Sequence, residues 1–137
     1  VTPPNPTPNQ LRHGASPPQA LQMAEGTTAC ALTWLCRFLK MLEVLVAELL
    51  RDAAAEVCEC ILAGYNASLA PHHPWVTRRL VRAGVGAAPS RADFLARLGT
   101  PDAEVAAAQM RALLEHFSPA LRGAIALLVE RGIEKPY

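Results

Sequence analysis

Between Thr28 and Leu50 the chain runs without Gly or Pro, and Leu32, Leu35, Leu39, Leu42, Val46 and Leu49 recur at alternating spacings of three and four. That period marks one face of a helix. Trp34, Phe38, Met41 and Leu45 form a second apolar stripe beside the first, which leaves Arg37, Lys40, Glu43, Glu48 and Arg51 to face water. A helix that is apolar over more than half its circumference is expected at the centre of its domain. A second helix is predicted from about Ala53 to Ala70, stopping before Pro71 because the residue ahead of a proline is pushed out of the helical region. His73-Pro74 reads as a polar cap followed by proline at the first helical position, opening a helix through Trp75 and Val76 to about Ala88. Ser90 with Asp93 three residues on approximates a capping box for a short helix ending near Gly99. Thr100-Pro101 and Ser118-Pro119 repeat the cap-then-proline pattern and predict two last helices, ending near His116 and Gly132. No alternating β-branched run of strand length appears, so the fold class is all-α with short connections.

Composition sharpens this picture at the N-terminus. Six of the twelve prolines fall in the first eighteen residues, among Thr, Asn, Gln and Ser, and such a segment builds neither helix nor core. Residues 1–25 are therefore read as a disordered or foreign lead-in, and 26–137 as the folded part. With 137 residues there is room for one domain at most. A formal charge of +1 supplies no stripe of uncompensated Lys and Arg, which argues against nucleic acid and against a polybasic membrane anchor. No secretory signal is visible, and the longest charge-free apolar run, Gly26 to Cys36, is well short of the about 20 residues of a membrane span. A soluble, cytosolic chain is expected.

Candidate chemistry is sparse. Cys30, Cys36, Cys58 and Cys60 fit no zinc spacing and read as reduced, mostly buried thiols, with no metal and no cofactor. The acids are scattered, and no two share an apolar setting that would split them into an acid and a base. Ser68 lies near His72 and His73 without a strained elbow or an oxyanion loop, and Gly84 and Gly86 precede neither Lys-Ser nor Lys-Thr. An enzyme is not expected. Trp75 with Arg78, Arg79 and Arg82 sets an aromatic among cations, a pattern suited to lipid headgroups.

Residues 65–95, YNASLAPHHPWVTRRLVRAGVGAAPSRADFL, with ALTWLCRFLKMLEVLV at 31–46, resemble the glycolipid transfer protein family, in the branch that includes the ceramide-1-phosphate transfer proteins. The shared marks are Tyr65 in a helix, His73-Pro74-Trp75 at the next helix start and the basic pair Arg78-Arg79 a turn later. Ala88-Pro89 before a short helix, and Phe94-Leu95 inside it, complete them. The resemblance runs from about Gly26 to Arg131. It implies a two-layer helical sandwich that holds one sphingolipid, chains inside and head group at the surface, and moves it between membranes.

By the same resemblance Trp34 is the flat platform for a sugar ring, with Arg37 as its nearby cation, and His73 hydrogen-bonds the ceramide amide. Trp75, Arg78 and Arg79 then lie on a face that makes transient contact with membranes. The ceramide-1-phosphate branch carries Arg where this chain has Trp34, so both ceramide-1-phosphate and a glycosylceramide stay open as ligands. The family's other head-group residues, an Asp with an Asn or Lys one turn on, come from an earlier helix, and residues 1–25 contain neither Asp nor Lys. The chain thus looks like an N-terminally truncated domain lacking its first helices, with impaired transfer. The contrasting class is a helical protein-interaction module whose groove takes a partner helix without moving lipid. Tyr65 is expected to pack or hydrogen-bond at a helix junction, and His72 and His116 to be structural or solvent-facing.

Overall fold

The computed structural model describes residues 26–99 and 102–135, so the lead-in assigned to 1–25 lies outside the described residues. Helix α1 spans Thr28–Arg51, α2 Val57–Ser68, α3 Trp75–Val85, α4 Arg91–Arg97 and α5 Ala103–Glu130, with a 3-10 turn at Ala70–His72. No strand occurs among the described residues. The fold is all-α, as the periodicity requires.

α1 is the element on which the others are built, packing against α2 along one side and α5 along another. Its start is fixed by Thr27, whose hydroxyl accepts from the Cys30 amide at 3.2 Å. Its end is fixed from outside: the Arg91 guanidinium donates to the carbonyls of Leu49, Asp52 and Ala55 at 2.6, 3.2 and 3.1 Å. Those contacts satisfy acceptors that a helix C-terminus leaves open and set a cation at its negative end. They also tie α4 to α1. Leu45, Leu49, Val57, Cys60, Ala106 and Met110 form one apolar cluster at this end, flanked by Phe94 and Leu95. A second cluster, Cys36, Leu121 and Leu128 with Leu39, Phe117, Ile125 and Ile133, joins the other half of α1 to the second half of α5.

Several expected boundaries move, each for a local reason. Asp52 leaves the helical region at φ −130° and its carboxylate accepts from the Ala54 amide at 2.9 Å. α2 therefore begins at Val57 rather than near Ala53, behind a capping box between Glu56 and Glu59. It gives way at Leu69 to the 3-10 turn that holds Pro71. His73 is not the cap of α3: Pro74 takes that position, with no polar side-chain atom to bond, and the His73 ring is engaged by Tyr65 instead. α3 ends at Val85, between Gly84 and Gly86, short of the expected Ala88. The Ser90–Asp93 start of α4 is as expected, with the Asp93 amide donating to the Ser90 hydroxyl at 3.2 Å.

The two last helices expected on either side of Ser118-Pro119 are one, α5, with Pro119 inside it. Its cap is Asp102, which accepts from the amides of Glu104 and Val105 at 2.9 and 3.2 Å. An interior proline costs about 3 kcal/mol, and α5 offsets this because both halves bury side chains on the continuous α1: Ala106 and Met110 before the proline, Leu121 and Leu128 after it. Ser118, itself buried, lies beside Glu43 and, with Lys40, helps hold its carboxyl below the usual range against the effect of burial. Merged in this way, Ala103–Glu130 is long and apolar enough by length and composition to cross a membrane, which the short charge-free runs of the sequence did not suggest.

The faces of α1 also differ from expectation. Leu32, Leu35 and Phe38 are exposed, whereas Thr33, Cys36, Arg37, Leu45 and Leu49 are buried. Among the described residues, α2 and α5 cover the Thr33–Arg37 side of the helix and leave the first apolar stripe open near its start.

α1 and α2 cross at Gly64, where an added Cβ would lie 3.2 Å from the Met41 carbonyl carbon and closer still to its oxygen. Gly64→Ala is expected to destabilise the fold by about 1–3 kcal/mol through overpacking, although alanine gains about 1 kcal/mol of helix propensity over glycine. Urea unfolding checks this, and a variant more stable than the parent would show that the helices cross farther apart.

Candidate functional site

Three segments distant in sequence meet beside the start of α1. Trp34 and Arg37 are one helical turn apart on α1, Tyr65 comes from α2, and His72 and His73 come from the turn behind it. The Trp34 and His73 rings are stacked, with centroids 5.6 Å apart and planes at 21°. His72 meets the same indole edge-on at 6.4 Å. The Arg37 guanidinium lies 5.0 Å from the Trp34 ring centroid, within reach of a cation–π attraction. Tyr65, 2% exposed, is hydrogen-bonded through its hydroxyl to His73 Nδ1 at 2.9 Å. With the phenol as donor, Nδ1 accepts, and the one N–H of a neutral imidazole is left on Nε2 for another partner.

A fourth segment arrives from the far end of the chain. Gly132, at φ +68°, turns the backbone past the end of α5, and the amides of Ile133 and Glu134 both donate to the Leu128 carbonyl, at 2.9 and 3.2 Å. Positive φ is a glycine conformation. Ile133 then packs on the Cys36–Leu121–Leu128 cluster. That contact carries Glu134 onto Arg37, whose Nε donates to Oε2 at 2.6 Å with both side chains buried. The second carboxylate oxygen accepts from the Lys135 amide at 2.9 Å.

The electrostatics follow from this pair. Burial alone would push the Glu134 carboxyl up, but the Arg37 hydrogen bond, the Lys135 amide and the Arg37 charge outweigh it and hold Glu134 below the usual carboxylate range. His72 is pushed down by burial and then by the Arg37 charge, so its imidazole stays neutral at pH 7. The Cys36 thiol is pushed up by burial and by Glu134. All four cysteines are free, Cys36 and Cys60 buried.

Farther along α1 an apolar groove of about 150 Å³ lies between α1 and α5, lined by Leu39, Leu42, Val46, Leu113, Leu114 and Phe117, with Glu43 at its edge. The Trp34 cluster and the groove thus sit in series on one helix: a polar, aromatic end, then a hydrocarbon-lined trough. Trp75, Arg78 and Arg79 do not join them. They stand on α3, which buries none of its residues, and Trp75 is 64% and Leu80 67% exposed.

Of the residues singled out from sequence, Trp34, Arg37 and His73 come together, while Trp75, Arg78 and Arg79 form a separate exposed face. Arg37 is not on a water-facing side of α1 as the stripes suggested; it is 6% exposed. Tyr65 is at a helix junction as expected, and His72 belongs to the cluster as well. Sequence reasoning missed Glu134. The signal present was a glycine just past the helix, an apolar residue next and an acid after that, which is the pattern of a chain folding back on its own helix.

The profile of the family described as glycolipid transfer protein (GLTP) matches residues 14–100. Pleckstrin homology domain-containing family A member 8 of Mus musculus is 32% identical over 102 residues, which cover 72% of this chain and 20% of that protein. The Rattus norvegicus protein of the same name is likewise 32% identical, with 72% and 19% covered. Among solved structures, human ceramide-1-phosphate transfer protein in complex with 12:0 ceramide-1-phosphate superposes with a TM-score of 0.73 at 27% identity, over 80% of this chain and 54% of that one. The apo form of Arabidopsis accelerated-cell-death 11 gives 0.71 at 25% identity, over 77% and 54%. The chain therefore spans about a fifth of the length of the curated relatives it matches, and just over half of these solved ones.

Glu134→Ala leaves Arg37 buried without its anion and is expected to cost about 3–5 kcal/mol at pH 7. Glu134 has its folded-state pKa below the ordinary 4.5, so its contribution is complete above that value and is lost as pH falls through the folded-state value. The gap in unfolding free energy between parent and variant should therefore narrow below about pH 4. Equal gaps at neutral and strongly acidic pH would mean that Arg37 does not depend on this carboxylate's charge.

Proposed function

The chain belongs to the glycolipid transfer protein family, and from that premise we propose that it binds one sphingolipid and carries it between membranes without covalent chemistry. The observation that carries the proposal is the placement in series of the Trp34–Arg37–His73 cluster and the α1–α5 groove. A sphingolipid has the same layout, a polar head and amide followed by hydrocarbon.

Each part has a physical task in this reading. The hydrocarbon leaves a bilayer only if an apolar wall replaces it, at about 0.8 kcal/mol for each methylene otherwise left in water. The groove supplies that wall but, at about 150 Å³, is smaller than the roughly 300–1,000 Å³ of a ligand cavity. Lipid entry therefore spreads α1 from α5. His73, oriented by Tyr65, offers Nε2–H to the ceramide amide carbonyl, and Trp34 offers an aromatic face to a sugar. The head group is ceramide-1-phosphate or a glycosylceramide; human ceramide-1-phosphate transfer protein, at 27% identity, is complexed with the former. On α3, exposed Trp75, Val76 and Leu80 beside Arg78 and Arg79 suit transient docking on an anionic membrane surface. Among the described residues, head-group contacts come from α1, the 3-10 turn and the tail.

A second reading draws on the exposed Leu32, Leu35 and Phe38. This stripe fits a partner helix, in a module that binds protein and moves no lipid. Native mass spectrometry of the protein purified from cells separates the two: bound sphingolipid supports the first, and a lipid-free dimer the second.

Trp34→Ala should lower sphingolipid capture from phosphatidylcholine vesicles about tenfold, through loss of the stack on the head group and on His73. Leu80→Asp should slow vesicle-to-vesicle transfer about tenfold through loss of apolar insertion, with the lipid held at equilibrium falling less than twofold. Unchanged capture by Trp34→Ala would make Trp34 a packing residue.

A further inference from the structure

Both cations that the sequence sets near the Trp34 platform are already held by carboxylates. Arg37 donates to Glu134 at 2.6 Å, and Lys40 Nζ donates to Glu43 at 2.7 Å. The two pairs are not equivalent. Lys40 and Glu43 are neighbours on one helix and Lys40 is partly open to water, whereas Arg37 and Glu134 are 97 residues apart with side chains 7% and 5% exposed. Arg37 also lies over the Trp34 ring, so the Glu134 carboxylate is the anion nearest the proposed head-group position that a long-range contact has built.

A phosphate monoester carries close to two negative charges and is held by Arg or Lys donors in fixed geometry. In this cluster the guanidinium already gives its Nε–H to an internal anion. A sugar makes no such demand, because it is held by an aromatic face and hydroxyl hydrogen bonds.

We propose that Glu134 sets head-group selectivity: its carboxylate stands on Arg37 in place of a lipid phosphate. An uncharged, hydroxyl-bearing head group is then accepted with the tail in position. A phosphate monoester is accepted only when Glu134 is displaced. The inference rests on the sphingolipid reading above. The tail is suited to that exchange, because Gly132 turns the backbone just past the end of α5 and Lys135 is exposed, so Glu134 can lift without unwinding the helix. While it is seated, two anions would compete for one guanidinium, and the exposed Lys135 stands beside them.

The test offers the full chain phosphatidylcholine vesicles that hold equal amounts of glucosylceramide and ceramide-1-phosphate, and reads the bound lipids by native mass spectrometry. The unsubstituted protein should favour glucosylceramide. Glu134→Gln keeps the shape and an acceptor for Arg37 but removes the charge, and should raise the ceramide-1-phosphate to glucosylceramide ratio about tenfold. The double variant Arg37→Gln/Glu134→Gln should lose that gain. A ratio changed less than twofold by Glu134→Gln, with both lipids bound, overturns the proposal. So does a gain that survives in the double variant.

Hydrogen exchange on the unsubstituted protein needs no variant to fold. Loading with ceramide-1-phosphate should speed exchange of the Glu134 and Lys135 amides, and glucosylceramide should leave them protected; equal protection under both overturns the proposal. Capture of neither lipid by the unsubstituted protein overturns the sphingolipid reading itself, and this inference with it.

Discussion

A guanidinium buried on the central helix sets terms that the rest of the chain meets. Taking Arg37 out of water costs several kcal/mol unless an anion follows it, and that anion comes from the other end of the fold. Glu134 reaches it only because Gly132 reverses the backbone and Ile133 docks in the core. Those steps require α5 to end near Arg37, and so to run back along α1 from its Leu45–Leu49 end. The pair therefore fixes the tail, the register of α5 and the cation over Trp34 together. No buried side-chain nitrogen or oxygen among the described residues lacks a partner, which is the condition under which a buried ionic network stays closed.

Two kinds of stabilisation are divided along α1. Toward its C-terminus the packing is apolar, with Leu45, Leu49, Val57 and Met110 in contact and Arg91 closing the helix end. Toward its N-terminus the Cys36–Leu121–Leu128 cluster is joined by rings and charges, and apolar side chains stand exposed. The purely apolar packing thus lies away from the candidate site, where exposed apolar side chains leave α1 less covered. A binding site benefits from that separation, since the elements that must rearrange around a ligand are drawn from the less stable part of a fold.

The sequence carried the all-α class, the extent of α1 and the start of α4, because uninterrupted periodicity and a Ser–Asp capping pair are local signals. It carried Trp34, Arg37 and His73 as a set through their motif rather than through any pattern of polarity. What it misread depended on tertiary contacts. Ser118-Pro119 has the local form of a helix start, yet packing on both sides of it holds one helix together. Arg37 falls on the side of α1 that polarity alone assigns to water, and its burial is intelligible only once Glu134 is beside it. His73 has the local form of a cap, and the hydroxyl that engages it lies a helix away in Tyr65.

Pro119 has no amide proton to give the Glu115 carbonyl, so α5 lacks one rung of its ladder just after Phe117. A rod with a single missing rung flexes at that joint before it flexes elsewhere. The groove wall of Leu113, Leu114 and Phe117 lies on one side of the joint, and Leu121, Leu128 and the tail lie on the other. A wedge driven between α1 and α5 would therefore be taken up as a bend at one place, letting the groove wall swing outward while the end that holds Arg37 stays clamped.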